Sequence, residues 1–149
     1  MAAQLSTAEL QNAQALLQEY APAQRAIATL SLHDGDLEPS LTDLVMAEAG
    51  TAVFGADRAS LKAVFLRNLR REVCGDESFR EKVEEYHKNP GKAVLLTGLI
   101  VYLVNLVTLP MNPAILLRRG CANATIVVLW VLKLGMRTFC EYTEPESEQ

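Results

Sequence analysis

Hydrophobic and polar positions divide this chain into an amphipathic front part and a strongly apolar back part. Residues 93 to 117, AVLLTGLIVYLVNLVTLPMNPAILL, form an uncharged run of 25 residues. A second run, CANATIVVLWVL at 121 to 132, follows after Arg118, Arg119 and Gly120. Segments this apolar must be covered by protein or by lipid, so the fold has to be organised around them.

The front part shows the periodicity of short helices. Ser6 and Glu9 fit a capping box, in which each side chain satisfies the other residue's backbone amide. Pro22 suits the first turn of a second helix, because its missing amide hydrogen would have no partner there. The apolar faces predicted for these two helices are Leu10, Ala13, Leu17 and Tyr20, and then Ala23, Ala26, Ile27 and Leu30.

Further helix starts and breaks follow along the chain. Ser40 and Asp43 mark the start of a third helix that ends at Gly50. Asp57 caps a fourth with a stripe of Leu61, Val64, Phe65 and Leu69, ending at Gly75. Asp76 opens a charged fifth helix with Phe79, Val83 and Tyr86 as its apolar residues, and Asn89-Pro90-Gly91 is the firmest break.

The apolar runs predict a helical hairpin. Asn112 followed by Pro113 resembles an N-cap with proline at the first helical position, which predicts one helix from 113 to about 136. The arm at 93 to 109 is apolar all round, so we expect it at the centre of the fold with the other helices around it. Buried strands are an alternative because Val, Ile and Thr are common here, but the length of each run favours helices.

The predicted fold class is therefore all-α: a single compact bundle of about six or seven helices with a central, very hydrophobic hairpin. The helical domain covers residues 1–142, and an acidic, flexible tail covers 143–149. The expected core is Leu61, Phe65, Leu69, Leu95, Leu99, Leu103, Val128 and Leu132.

Composition narrows the class of protein. Half of the 149 residues are apolar and 21% are charged, which is a globular profile. A net charge of −4 gives no general attraction to nucleic acid, and no aromatic residues interleave with the basic ones. The three cysteines, Cys74, Cys121 and Cys140, are odd in number and widely spaced, which predicts free thiols and a cytoplasmic location.

A membrane hairpin is the competing interpretation. The first arm of 17 residues would span roughly 26 Å, slightly less than a bilayer core of about 30 Å. Arg118 and Arg119 would have to reach the head groups on the far side. Soluble pore-forming folds share an apolar hairpin inside amphipathic helices, so insertion after a trigger is also open. Burial in protein places no such demand on the two arginines and is favoured.

No catalytic, cofactor or metal site is predicted. The segment His33-Asp34-Gly35-Asp36-Leu37-Glu38 is rich in possible ligands, but its sixth and twelfth positions from Asp34, Pro39 and Val45, do not fit a calcium loop. There is neither a GxSxG motif nor a phosphate-binding glycine loop. We expect an exposed turn there, and no small-molecule ligand is evident.

Arg80 and His87 give a minor alternative. Their Arg-x6-His spacing is similar to that of HEPN-class ribonucleases, in which arginine could stabilise phosphate charge while histidine moves a proton. Glu81, Glu84 and Glu85 surround the pair with charge that repels RNA. A solvated helix face is the preferred interpretation.

The candidate interaction surface consists of arginines, which bind carboxylates bidentately. Its residues are Arg67, Arg70, Arg71, Arg118 and Arg119. The sequence thus predicts a non-enzymatic protein-interaction or regulatory module, acting on a protein partner or on copies of itself. The alternatives are membrane insertion through residues 93–134 and the ribonuclease.

Overall fold

The computed structural model describes residues 3–49, 66–67, 69–108 and 113–142, with the backbone alone at 45–49, 107–108, 113–122 and 142. The regular elements in this part of the chain are helical, and one isolated bridge joins Gln4 to Asp36. The predicted all-α class and compact helical bundle are confirmed. In chain order the elements are α1 Thr7–Leu16, a 3-10 turn Ala21–Ala23, α2 Gln24–Leu32, α3 Leu37–Ala49, helical residues at 66–67 and 69–74, α4 Glu77–Lys88, α5 Ala93–Thr108, α6 Pro113–Leu134 and α7 Met136–Tyr142.

The first helix begins as predicted, whereas α2 begins at Gln24, after the 3-10 turn that contains Pro22. Of the face predicted for the first helix, Ala13 and Leu17 are buried, and Leu10 and Tyr20 are half-buried. Ser6 Oγ accepts a hydrogen bond from the Glu9 amide at 3.1 Å, and Glu9 Oε1 accepts one from the Ser6 amide at 2.8 Å. This is the complete capping box. The predicted apolar face of the second helix is buried throughout, at Ala23, Ala26, Ile27 and Leu30.

The third helix starts earlier than predicted. α3 begins at Leu37, and Ser40 lies inside it, buried, where its hydroxyl donates to the Asp36 carbonyl at 2.7 Å. A serine can bond back to the preceding turn in this way, so it need not cap a helix. Burial of Leu37, Leu41 and Leu44 on one face explains the earlier start.

The N-terminal residues are fastened to the turn between α2 and α3. The Leu5 amide donates to the Gly35 carbonyl at 2.8 Å, and the Leu37 amide donates to the Ala3 carbonyl at 3.0 Å. Gly35 has φ +86, and a Cβ atom there would lie 2.5 Å from the Leu5 carbonyl oxygen. Only glycine permits both the left-handed backbone and the close approach.

The centre of the bundle is α6, which corrects the expectation for the arm at 93 to 109. All nine residues from 123 to 131 are buried. α6 packs against α5, α3, α7, α2 and the 3-10 turn, so it is covered from several directions. The hairpin partner, α5, buries Leu96, Leu99, Ile100 and Leu103 but exposes the opposite side.

Four of the six predicted core residues whose side chains are described are buried. Leu69, Leu99, Leu103 and Val128 are buried, whereas Leu95 and Leu132 are only partly buried and pack against the core. Leu61 and Phe65, with the predicted start of the fourth helix at Asp57, lie outside the described residues. The same holds for the stop at Gly50 and for the tail at 143–149.

Asp76 fixes α4 against α5. Its Oδ2 accepts a hydrogen bond from the Phe79 amide at 2.9 Å, which confirms the predicted cap, and another from Tyr102 Oη at 2.6 Å. The second bond raises the pKa of Tyr102 above its usual value. The Tyr102 ring also stacks on Phe79, with centroids 6.2 Å apart. One carboxylate thus sets the start of a helix and its packing.

The long helix predicted to continue to about residue 136 ends sooner. α6 stops at Leu134, Gly135 takes φ +87, and the chain turns into the short α7. The α7 helix folds back, so that Phe139 meets Trp130 edge to face with ring centroids 5.7 Å apart. α7 is therefore a further cover on the central helix.

Candidate functional site

The exposed side of α5 is the most unusual surface in the described part of the chain. Val94 is 79% exposed and Val101 43% exposed, although α5 is the more apolar arm of the hairpin and carries no charged residue. Gly98 and Asn105 are exposed between and beyond them. We call these four residues the α5 seam. Their spacing of four, three and four places them in one line along the helix, as in a coiled-coil seam.

The α5 seam carries no charge and contains a notch. No charged residue occurs between Ala93 and Thr108, so a second apolar surface can approach without desolvating an ion. A Cβ atom added at Gly98 would meet nothing within 4 Å, which makes this position a hole between two valines. Knobs of one helix fit such holes in another.

A groove continues the seam at its N-terminal end. Its volume is about 420 Å³, and it lies between the end of α1 and the start of α5, with Val94 on its wall. Leu16, Tyr20 and Thr97 line it, and Glu19 supplies a carboxylate. The apolar surface near Val94 is thus concave as well as exposed.

Of the predicted arginine surface, Arg70 is tied into the fold. Its Nε donates to the Cys140 carbonyl at 2.9 Å, so its guanidinium joins the segment at 69–74 to α7. Arg67, at 66–67, and Arg71, in the segment at 69–74, are both exposed, and Arg71 has an interaction of its own. One of these three predicted contact residues therefore has a structural role.

Arg118 and Arg119 lie in the N-terminal half of α6, and their side chains are outside the described residues. Arg70, in contrast, contacts the backbone of Cys140, and the neighbouring Phe139 packs on Trp130 of α6. Trp130 comes 11 residues after Arg119, which corresponds to a rise of roughly 17 Å along the helix. Arg70 is therefore placed well away from Arg118 and Arg119 along the axis of α6.

The prediction of three free thiols is wrong for two of them. Cys74 and Cys140 form a disulfide with Cα atoms 6.0 Å apart and a sequence separation of 66 residues. Tertiary packing of α7 against the segment at 69–74 brings them together, which spacing alone could not reveal. The cytoplasmic location rested partly on free thiols and stays a prediction.

Both half-cystines line an open groove of about 530 Å³, which we call the disulfide groove. Arg80, His87 and Arg137 line it together with Glu84 and Glu141. The Arg80 Nη2 donates to the Cys74 carbonyl at 3.3 Å. The His87 Nε2 lies 3.3 Å from the Leu132 carbonyl oxygen.

The Arg-x6-His pair therefore shares one groove, but each side chain contacts backbone there. Arg80 and His87 lie two turns apart on α4, and both are exposed. The ribonuclease interpretation stays a prediction.

The turn at residues 33–36 is confirmed, but it is not the exposed turn that was predicted, because Gly35 is buried and His33 and Asp36 are half-buried. The His33 Nε2 lies 2.6 Å from Asp43 Oδ2, so the histidine faces α3. Within the ranges that the structure describes, no three His, Cys, Asp or Glu side chains are gathered as a metal site would require. Asp34, with φ 54, and Gly35 form the bend itself.

Sequence reasoning missed the α5 seam although a signal for it was present. A count of uncharged residues does not distinguish glycine and asparagine from leucine, so by this count all faces of the arm at 93 to 109 are equivalent. Gly98 and Asn105 stand seven residues apart, in line with Val94 and Val101. That pattern marks one face as different from the rest.

Comparisons with protein-family models, with curated proteins and with solved structures gave no match for this chain. Within the described residues, none of the helices combines the length and the hydropathy needed to cross a bilayer.

Proposed function

We propose that this protein is a non-enzymatic helical interaction module that associates with a second copy of itself through the α5 seam. The observation that carries the proposal is the exposure of Val94 and Val101 on a helix that has no charged residue. Apolar side chains at helical spacing along one line are the usual signature of a helix that meets another helix. A partner of this kind requires neither a catalytic group nor a cofactor.

The chemistry of the seam favours a second copy over an acidic or basic partner. The seam is uncharged, so it offers nothing to pair with a charged ligand. An isologous contact needs a surface that complements itself. If two α5 helices run antiparallel, with the two-fold axis between positions 98 and 101, each Val101 lies over the Gly98 notch of the other copy. Val94 then lies against Asn105.

The size of the seam sets the strength of association. From Val94 to Asn105 the helix rises about 16 Å, and one helix face is about 10 Å wide. This strip is far smaller than the roughly 800 Å² per partner that stable complexes bury. We therefore expect a weak dimer that forms only at high protein concentration.

Sedimentation equilibrium over a wide concentration range tests the proposal. The wild type should show a reversible monomer–dimer equilibrium, which Val101→Glu should abolish. Leu32→Glu is the matched control, because Leu32 is 82% exposed but lies on α2, away from the seam. It should leave the dimer unchanged.

Gly98→Leu distinguishes a contact that depends on the shape of the α5 seam from non-specific hydrophobic association. The new side chain adds apolar surface but fills the notch, so a dimer built on Val101 over Gly98 should weaken. Stronger association of this variant, or a monomeric wild type at all concentrations, contradicts the proposal. Co-flotation of the wild type with lipid vesicles, lost in Val101→Glu, would instead favour the membrane-acting alternative.

A further inference from the structure

The disulfide stands at the edge of the fold, where a solute can reach it. Cys74 ends the helical segment at 69–74 and Cys140 lies in α7, and both residues are only partly buried. Both line the disulfide groove, whose volume of about 530 Å³ is within the range of small-molecule sites. Accessible disulfides are the ones that exchange readily with thiols.

The groove offers charges of both signs to a ligand. Arg80 and His87 supply cationic or hydrogen-bonding groups, and Glu84 supplies a carboxylate. Arg137 and Glu141 add an ion pair, with Arg137 Nε 3.2 Å from Glu141 Oε1. A neutral thiol would use none of these groups. A small peptide thiol that carries carboxylates and an ammonium group could use both kinds.

We propose that the disulfide groove is a thiol–disulfide exchange site for a small zwitterionic thiol of the glutathione class. The thiolate of the small molecule attacks Sγ of Cys140, and a new disulfide forms between them. The Cys74–Cys140 bond breaks, and its electron pair leaves on Sγ of Cys74. The incoming thiol has lost its proton to solvent, and the exchange needs no external oxidant.

An arginine contacts the backbone of each half-cystine, since Arg70 Nε donates to the Cys140 carbonyl at 2.9 Å and Arg80 Nη2 donates to the Cys74 carbonyl at 3.3 Å. Of these two arginines, Arg80 is the one that lines the disulfide groove, where the leaving thiolate forms. Its guanidinium is held beside Cys74 by the hydrogen bond to the Cys74 carbonyl. A neighbouring cation stabilises a thiolate and makes it a better leaving group. Cys140 is therefore the sulfur attacked, and the mixed disulfide is expected on α7. This inference is independent of the α5 seam.

The experiment uses the full chain carrying Cys121→Ser, so that one disulfide is the only reactive pair. The oxidised protein is mixed with reduced glutathione or with 2-mercaptoethanol, quenched by alkylation and mapped by mass spectrometry. We expect a glutathione adduct on Cys140 with Cys74 alkylated. Arg80→Gln should slow the reaction with glutathione roughly threefold to tenfold. Arg25→Gln, an exposed arginine on α2 outside the groove, is the control and should not slow it.

Three outcomes would overturn the inference. The first is the absence of the disulfide in the oxidised protein. The second is an adduct mainly on Cys74. The third is a glutathione rate no higher than that of 2-mercaptoethanol at equal thiolate concentration, combined with no effect of Arg80→Gln. Circular dichroism melting of each variant verifies that the fold is intact when the rates are compared.

Discussion

The two arms of the apolar hairpin are both rich in apolar residues, but their environments differ. From 123 to 131, α6 is buried on every side, including its polar residues Asn123 and Thr125. α5 is the more apolar of the two, yet it leaves the α5 seam in solvent. Average hydropathy therefore does not determine which helix is central. The arrangement of side chains around the helix does, because each face needs a neighbour that fits it.

The physical difference lies in a few positions. The buried stretch of α6 carries branched or aromatic side chains on all faces, and Trp130 alone fills a large volume beside Phe139. On α5, Gly98 and Asn105 interrupt one face, which leaves little there for a helix of the same chain to pack on. A helix without charged residues can thus still have one face exposed to solvent.

The largest expected effect comes from placing the same charge on each arm. Val127→Asp puts a carboxylate at a fully buried site of α6, which should cost several kcal/mol and unfold the protein. Leu99→Asp, on the buried side of α5, should do the same. Val101→Asp should change the free energy of unfolding by less than about 0.5 kcal/mol. Urea titration followed by circular dichroism measures all three, and equal losses at 101 and 127 would contradict the one-sided burial of α5.

A smaller loss is expected from Trp130→Ala. Removing this fully buried ring should lower the free energy of unfolding by about 3–5 kcal/mol, since neighbours cannot fill the cavity completely. Trp130 is the only tryptophan in the chain, so circular dichroism must report unfolding of the variant. Val94→Ala, on the exposed face of α5, is the control and should be nearly neutral. A loss below about 1 kcal/mol for Trp130→Ala would show that α6 is less tightly covered than described.

The smallest expected effect is a pH dependence of stability, caused by the ion pair of Lys133, near the end of α6, with Glu9. Lys133 Nζ donates to Glu9 Oε1 at 2.7 Å, and this bond, followed by the one from the Ser6 amide, lowers the pKa of Glu9 below its ordinary 4.5. A carboxyl with a lower pKa in the folded state stabilises that state above the unfolded pKa. This stabilisation is lost as the pH falls from about 4.5 through the folded pKa.

Both side chains of this pair are partly exposed, so solvent screening limits the effect to under about 1 kcal/mol. Thermal unfolding of the wild type and of Glu9→Gln as a function of pH measures it. The difference in Tm should be present near neutral pH and should shrink in acid. A constant difference down to strongly acidic pH would exclude Glu9 as its source.

Local chemistry made much of the fold predictable. The capping box at Ser6 and the cap at Asp76 depend on residues three apart, and the apolar face of α2 depends on its own period. The exact start of α3, the end of α6 at Gly135 and the central position of α6 could not be derived in this way. They depend on which distant faces fit together, as the contact of Phe139 with Trp130 shows.

The candidate sites were less predictable than the fold. The arginine surface was chosen by charge, but Arg70 uses its Nε within the molecule. The disulfide joins residues 66 positions apart, which no spacing rule connects. The α5 seam was visible in principle, because a glycine and an asparagine seven residues apart break the uniformity of the run.

The position of the central helix along the chain has a consequence for biosynthesis. Helices α2 and α3 are synthesised well before Val131 at the end of the buried stretch of α6, the helix on which both pack in the folded bundle. At a synthesis rate of about 5–20 residues per second, roughly 5 to 20 seconds pass between the synthesis of their apolar faces and that of the helix they cover. During that time Ile27, Leu30, Leu41 and Leu44 lack the neighbours that α6 provides in the folded bundle, and apolar surface exposed in this way is prone to aggregation. The helix at the centre of the core is thus synthesised after most of the elements that pack against it.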